Sequence, residues 1–228
     1  MKFTSTLIKG KLIKRYKRFF TDIKVNNQII TAHCPNTGSM MGLLDEGNEV
    51  WVTKNDNPIR KLKYTLEIIK VKKKLIGVNT HRANRIVEHG LKNKLIDEFK
   101  KEKLIKSEFK FSKDTRFDFL CDIKIIEFKN VTLLRNEGFS EFPDAITTRG
   151  TKHLIKLVAS MKKKYDPYVL FLTQIQDIDY FKIAKDIDCN YYDNYIVAKK
   201  SGVNFLAYRC KISSKEIKIE KKIKIIDE

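Results

Sequence analysis

A small all-β barrel over residues 1–80, followed by an α/β domain with a mixed sheet over residues 81–228, is the mixed α+β architecture this sequence predicts. Three observations carry it. The first 80 residues hold several short strand-like runs separated by Gly-, Pro- and Asn-containing turns, with no convincing helix among them. Near Asn79 the apolar period lengthens from two to that of a helix. Beyond it the elements run α-β-β-β-α-β-α-β, as helices packed on a mixed sheet would.

In the first part, "KLIKRYKRFFTDIKV" and "QIITAHC" read as strands joined by a two-residue hairpin at Asn26-Asn27. "EVWVTKN" and "KYTLEIIKVKKKLIGVN" add further strands. The oligonucleotide-binding barrel is one fold such strands build, but counting strands does not select it. In the second part, "ANRIVEHGLKNKLIDEF" spaces Ile86, Leu91, Leu95, Ile96 and Phe99 mostly as a helix does. "LIKSEFKF", "RFDFLC" and "KIIEFKNVTLL" read as three strands, and "RGTKHLIKLVASMKKKYD" as an amphipathic helix on Leu154, Leu157, Val158 and Met161. "YVLFLTQI" suits a strand covered on both faces. A last helix starts at a cap on Asp193 and stops at Gly202, and "VNFLAYRCKI" follows it. The tail "KISSKEIKIEKKIKIIDE" alternates apolar and charged residues and suits an edge strand with a solvated face.

With 228 residues, 42% of them hydrophobic and 33% charged, the chain has the composition of a folded soluble protein and not of a disordered one. No run approaches the roughly 18 apolar residues of a membrane span, and the N-terminus lacks the apolar core and cleavage site of a secretory signal. Cys34, Cys121, Cys189 and Cys210 lack CxxC spacing, which reads as reduced thiols in a cytoplasmic protein without a zinc site. The net charge of +19 favours a polyanion partner. An AT-rich genome gives the same excess of Lys, Ile and Asn, so both origins of the charge stay open.

The stretch "KIIEFKN" carries the chemistry. Glu127 and Lys129 share one strand face, since residues i and i+2 do. "RFDFLC" and "KIIEFKN" are close enough to form a hairpin. With a turn centred between Asp122 and Ile123, Asp118 lies across from Glu127 and Arg116 across from Lys129. Like charges placed directly opposite are destabilising. A divalent cation, Mg²⁺ or Mn²⁺, resolves the carboxylate pair, because such ions are held by one or two carboxylates together with phosphate oxygens. Lys129 would then steady charge on a phosphodiester undergoing hydrolysis. A solvated hairpin face with its pairing shifted by one residue is the structural alternative.

Other residues read both ways. Glu88, in the first helix, either reaches the same site or is an exposed helix glutamate. Lys152, near the start of the second helix, opposes the helix dipole and is compatible with an anion bound there. His33 and His153 have no nucleophile partner at any recognisable spacing, so core or surface roles lead. In "HCPNTGSMMG", the turn formers Asn36, Thr37, Gly38 and Ser39 either cradle a phosphate with their amides or form an ordinary loop. "RYKRFF" interleaves Arg15, Tyr16, Lys17 and Arg18 with aromatics, which suits a single nucleic-acid strand and equally an amphipathic strand.

"GKLIKRYKRFF", "TAHCPNTGSMMGLL", "RKLKYTLEII", "EFKNVTLL" and "FPDAITTRGTKHL", in this order, closely resemble the sugar fermentation stimulation protein A family of prokaryotes, from about Leu12 to Ile212. The resemblance implies an N-terminal oligonucleotide-binding (OB) barrel and a second domain similar to the PD-(D/E)xK nucleases. It further implies cytoplasmic DNA binding and a link to sugar-utilisation gene expression. Arg149, at the start of the second helix, is a further candidate nucleic-acid contact. In the nuclease pattern Asp118 and Glu127 match the metal-binding carboxylates and Lys129 the motif lysine. Glu88 fits the glutamate often found on the first helix, and Lys152 the polar position on the second. Two functions follow as expectations: a DNA-binding protein with metal-dependent nuclease activity, or a DNA-binding regulator without catalysis. A small-molecule sugar enzyme finds no support, since neither a glycosidase-like carboxylate pair nor a nucleotide-binding glycine loop is present.

Overall fold

The computed structural model of the chain describes residues 1–136 and 138–227. Five strands, β1 (Ile8–Tyr16), β2 (Phe20–Val25), β3 (Gln28–His33), β4 (Glu49–Lys54) and β5 (Tyr64–Val71), pair in the order β3-β2-β1-β4-β5. A parallel pairing of Ala32 with Tyr64 and His33 with Thr65 closes them into an OB-like barrel. A sixth strand, β6 (Lys74–Gly77), folds back on β5. Leu12, Ile23, Ala32, Val50, Val52 and Leu66 fill the barrel. The closure rests on the two pairs at the end of β3 and the start of β5.

The second part opens with α1 (Thr80–Lys92) and continues through β7 (Ile105–Ser112), β8 (Thr115–Cys121), β9 (Lys124–Val131), β10 (Phe139–Phe142), α2 (Thr148–Ser160), β11 (Asp166–Thr173), β12 (Tyr180–Ile183), α3 (Cys189–Lys200), β13 (Asn204–Ile212) and β14 (Ile217–Ile226). Its eight strands lie in the order β10-β12-β14-β13-β11-β9-β8-β7. Parallel pairs sit at the centre, where β11 runs between β9 and β13, and antiparallel hairpins flank them. The sheet is therefore mixed. Alternate residues of its strands feed two cores. Ile125 and Val169 pack with Leu154 and Leu157 of α2 and Tyr191 and Tyr195 of α3, whereas Ile126 and Leu170 pack with Ile86, Val87 and Leu91 of α1. Helix α1 thus covers one face, and α2 with α3 the other.

Several elements depart from the sequence expectation. "KLIKRYKRFFTDIKV" is not one strand: Lys17 and Arg18 take left-handed backbone angles and turn β1 into β2. Helix α1 ends at Lys92, and Leu95, Ile96 and Phe99 pack from the segment after it. The cap of α3 is Asp188 and not Asp193, because Asp188 Oδ1 accepts the Tyr191 amide while Oδ2 accepts the Thr147 amide at the start of α2. One carboxylate thereby fastens two helix starts together. The tail strand β14 does alternate buried and exposed residues, but it lies inside the sheet, antiparallel to β13 and parallel to β12 over its last residues. Strands β10 and β12, of four residues each, are too short to show a period.

The two parts meet at the loop after β3. Arg15 donates to the carbonyls of Asn36 (2.6 Å), Gly38 (3.0 Å) and Ser39 (3.3 Å), and the Asn36 amide group donates to the Val78 carbonyl. Gly38 then rests against the second domain, where a Cβ would overlap the Asp144 carboxylate. Gly38→Ala is expected to lower stability by about 1–3 kcal/mol through this overlap, read from urea unfolding. Asp144→Ala in the same chain is expected to return part of the loss. Equal losses in the single and double variants would show that the loop does not depend on this contact.

Candidate active site and nucleic-acid groove

The hairpin of β8 and β9 pairs Phe119 with Ile126, Leu120 with Ile125 and Cys121 with Lys124, the register read from the sequence. The ladder ends there. At the next position Asp118 does not face Glu127 as a paired residue, because its carboxylate enters the gap and Oδ2 accepts the Phe128 amide at 2.8 Å. Arg116 likewise does not oppose Lys129: it pairs with Lys110 of β7 and lies 3.7 Å from Glu108. A side-chain carboxylate thus takes the Phe128 amide where the backbone ladder has ended.

Glu127 is 4% exposed and is held from two directions. Lys129 donates to its Oε1 at 2.7 Å, and His153 of α2 meets the same oxygen through Nδ1. Burial opposes ionisation of Glu127, but the Lys129 charge and the His153 contact outweigh it and hold the carboxyl below its ordinary range. Its other oxygen, Oε2, is buried without a hydrogen-bond partner among the described residues. Asp118 is pushed the opposite way, up to about 7, first by burial and then by the neighbouring Glu127 charge. Two carboxylates whose proton affinities diverge, one with an orphaned buried oxygen, form a donor set that fits a divalent cation. Tyr191 of α3 is a second orphan on this side: its hydroxyl is buried without a hydrogen-bond partner among the described residues, and burial followed by the Glu127 charge holds its ionisation far above the usual range.

Beside this pair lies a groove of about 580 Å³ between the β7–β8 hairpin and α2, lined among others by Lys110, Arg116, Arg149, Lys152, His153 and Lys156. Among the described residues Asp114 is the one carboxylate on its wall. Arg149, Lys152, His153 and Lys156 follow the i, i+3, i+4, i+7 spacing of a single helix face. That stripe was the available signal for His153. A histidine with no nucleophile partner gives no sign by itself that it will contact a strand glutamate 26 residues away.

The other expected positions fall into three groups. Lys152 and Arg149 stand exposed on the groove wall, and Lys129 sits at Glu127. Glu88 does not join the carboxylates. It rides on α1, across the sheet from α2, and pairs with Lys92 at 2.6 Å, and no cluster of three or more metal-ligating side chains occurs among the described residues. Of the barrel residues, Arg15 and Asn36 turn inward as described, and the Gly38 amide is taken by Asn36 Oδ1, so this loop does not offer the expected set of free amides. Ser39 accepts the Met41 amide through its hydroxyl, Thr37 is exposed, and the Tyr16 hydroxyl donates to Asp22. Lys17 and Arg18 project from the β1–β2 turn.

A closed OB-like barrel joined to a mixed-sheet domain with a carboxylate pair on its hairpin defines a two-domain class, and sequence comparison names the family. The profile of the SfsA N-terminal OB domain matches residues 13–78, and that of the sugar fermentation stimulation protein RE domain matches residues 81–216. The chain belongs to the sugar fermentation stimulation protein family. It is 65% identical over the full length of both chains to the sugar fermentation stimulation protein homolog of Pelagibacter ubique (strain HTCC1062). It is 40% identical to that of Pseudoalteromonas atlantica (strain T6c / ATCC BAA-1087), covering 99% of this chain and 100% of the relative. Among solved structures, Pyrococcus furiosus SfsA in complex with Ca²⁺ superposes with a TM-score of 0.87 at 21% identity, covering 100% of this chain and 98% of that one, which establishes the shared fold.

The Asp118 environment makes a pH prediction. Its folded pKa lies above the ordinary carboxylate value, so the folded protein binds the extra proton and this group's contribution to stability falls as pH rises from about 4 to about 7. Asp118→Asn removes the penalty. The variant is expected to melt higher than the parent at pH 8 without added metal, by about 2–4 °C for each kcal/mol recovered, and to match it near pH 4. A variant that melts lower at pH 8 would contradict this assignment.

Proposed function

We propose that this protein binds DNA in the cytoplasm and hydrolyses phosphodiester bonds with Mg²⁺ or Mn²⁺ held by Asp118 and Glu127. The observation that carries the reading is the buried Glu127 Oε2, without a partner among the described residues, next to the Asp118 carboxylate and joined through His153 to a groove walled by cations. Carboxylates placed near phosphates repel them unless a cation stands between, so a protein that only gripped DNA would gain nothing from this pair. The solved relative from Pyrococcus furiosus was determined in complex with Ca²⁺, a hard cation that takes the same oxygen ligands. The free thiols of all four cysteines suit a reducing compartment, and no helix is long and apolar enough to cross a membrane.

When bound, the cation would polarise the phosphate and lower the pKa of a coordinated water. The chain's own groups do the rest. Lys129 keeps Glu127 ionised and brings a positive charge to where negative charge gathers on the phosphate. His153 fixes the Glu127 carboxylate in place from α2. Asp118, anchored by the Phe128 amide, has no hydrogen bond to its second oxygen among the described residues and would ligate through it. Arg149, Lys152 and Lys156 would track the DNA backbone along the groove. The alternative, a DNA-binding regulator of sugar-metabolism genes without cleavage, draws on the separation of Glu88 from the pair, which leaves two carboxylates where three were expected.

Calorimetric titration of Mg²⁺ and Mn²⁺ into the parent and Asp118→Ala, followed by incubation of both with end-labelled single-stranded and duplex DNA, tests the reading. Metal binding and cleavage are expected in the parent and absent in the variant. A parent that binds DNA but neither metal would establish the regulator. Independently, Arg149→Ala with Lys152→Ala is expected to reduce the slope of log K against log salt for duplex DNA by about 1.8, since each lost phosphate contact removes about 0.9. An unchanged slope would move the DNA away from this groove.

A further inference from the structure

Among the described non-glycine residues with positive φ, Glu108 alone lies inside a strand. Its φ of 54° falls in the middle of β7, whereas the others sit in turns, in loops or at helix ends. A left-handed glutamate is strained, and inside a strand the strain calls for a reason. The hairpin changes face at this point. Ile105 packs on the α1 side of the sheet, yet Phe109 and Phe111 pack on the α2 side, although strict alternation would keep all three together. On the partner strand, Phe119 and Cys121 pack on the α1 side and Phe117 on the α2 side, against His153. The switch falls between the pairs Ser107–Phe119 and Phe109–Phe117, the step at which Glu108 stands across from Asp118. Because β8 lies between β7 and β9, Asp118 has Glu108 on one neighbouring strand and Glu127 on the other.

Carboxylates gathered on adjacent strands repel one another unless a cation joins them. Burial and then the Glu127 charge push the Asp118 carboxyl up to about 7, and the Glu108 charge acts in the same direction. Glu127 supplies the independent sign of a ligand, since it is 4% exposed and its Oε2 is buried without a partner among the described residues. Glu108 is free to move: its side chain is 57% exposed, and its contact with Arg116, at 3.7 Å, is too long for a hydrogen bond. No three metal-ligating side chains are clustered among the described residues, so Glu108 reaches a shared cation by turning away from Arg116. The charge count favours that turn. Lys129 offsets Glu127, so a dication beside an ionised Asp118 leaves one positive charge in excess, which one further carboxylate cancels. We infer that Glu108 is the third carboxylate of the Asp118–Glu127 site, turning onto a divalent cation when one binds and leaving the Arg116 guanidinium free on the groove wall. The inference rests on the cation binding proposed above and deepens it. It places on β7 the carboxylate expected from Glu88 of α1, which pairs with Lys92 instead.

The test uses the full chain without DNA and Mn²⁺ as the probe, its binding followed by calorimetry and by the electron paramagnetic resonance signal of the free ion. Glu108→Gln is expected to weaken Mn²⁺ binding by at least about tenfold, as loss of a metal partner does. Its melting temperature without metal is expected to stay within about 2 °C of the parent, since the side chain is exposed. Glu108→Gly removes the same carboxylate from a backbone that suits glycine, and is expected to bind Mn²⁺ as weakly while melting no lower than the parent. Two controls remove a carboxylate elsewhere. Asp114→Asn, on the groove wall, and Glu88→Gln, on α1, are expected to change Mn²⁺ affinity by less than about threefold, the effect of a remote charge. Glu108 variants that bind Mn²⁺ no more weakly than Asp114→Asn overturn the inference, and so does a loss found in Glu88→Gln instead. In either case Mn²⁺ binding that still vanishes in Asp118→Ala leaves the two-carboxylate reading standing. A parent that binds no Mn²⁺ overturns both. Mn²⁺ binding that depends on Glu108 without any DNA cleavage upholds the third carboxylate and overturns the nuclease reading alone.

Discussion

The second domain is arranged around one buried carboxylate. A carboxylate as enclosed as that of Glu127 is tolerated only with partners in place, and its partners come from different parts of the chain. Lys129 is supplied by the same strand two residues on, whereas His153 has to be delivered by α2. The contact therefore sets how α2 lies over the sheet. With His153 turned toward β9, the rest of its helical stripe, Arg149, Lys152 and Lys156, lines the groove. Asp118 completes the arrangement: the β8–β9 ladder ends at Phe119–Ile126, and beyond it the Asp118 carboxylate accepts the Phe128 amide.

The barrel is held to this domain by polar contacts that turn inward. Arg15, a candidate phosphate contact by residue type, instead binds the carbonyls of the Asn36–Ser39 loop, and that loop packs through Gly38 on Asp144. The barrel core and the α2–α3 side of the sheet form one continuous cluster, so the two parts are packed together without a flexible linker. Inward use of Arg15 leaves the β1–β2 turn to present Lys17, Arg18 and Phe19 to solvent. Basic and aromatic groups are thus offered at a tip, where single-strand binding favours them, and not along a strand.

Much of the fold was legible because it follows local rules. The Asn26-Asn27 hairpin, the central strand at "YVLFLTQI" and the β8–β9 register all depend on turn length and side-chain alternation, which neighbouring residues express directly. The misplaced elements involve competition that neighbours do not record. Asp188 prevails over Asp193 as the α3 cap because it also holds the start of α2. The tail strand has an edge-like pattern, yet β12 pairs with its end from a distant part of the chain. Glu88 lies on the first helix as expected, but α1 packs on the face of the sheet opposite α2.

By itself the sequence determined the two-part architecture, the family, the basic character and the pairing of Asp118 with Glu127 on one hairpin, since composition, period and short-range register carry all of these. Only the tertiary structure decided which charges are free and which are consumed. It joined His153 to Glu127, committed Arg15 to the carbonyls of the Asn36–Ser39 loop and Glu88 to an ion pair with Lys92, and brought His33, Arg60, His81 and Arg85 to one cleft. The physical reason is range. A charge is committed by whatever partner the packed layers place within about 3 Å of it, and that partner can lie anywhere along the chain.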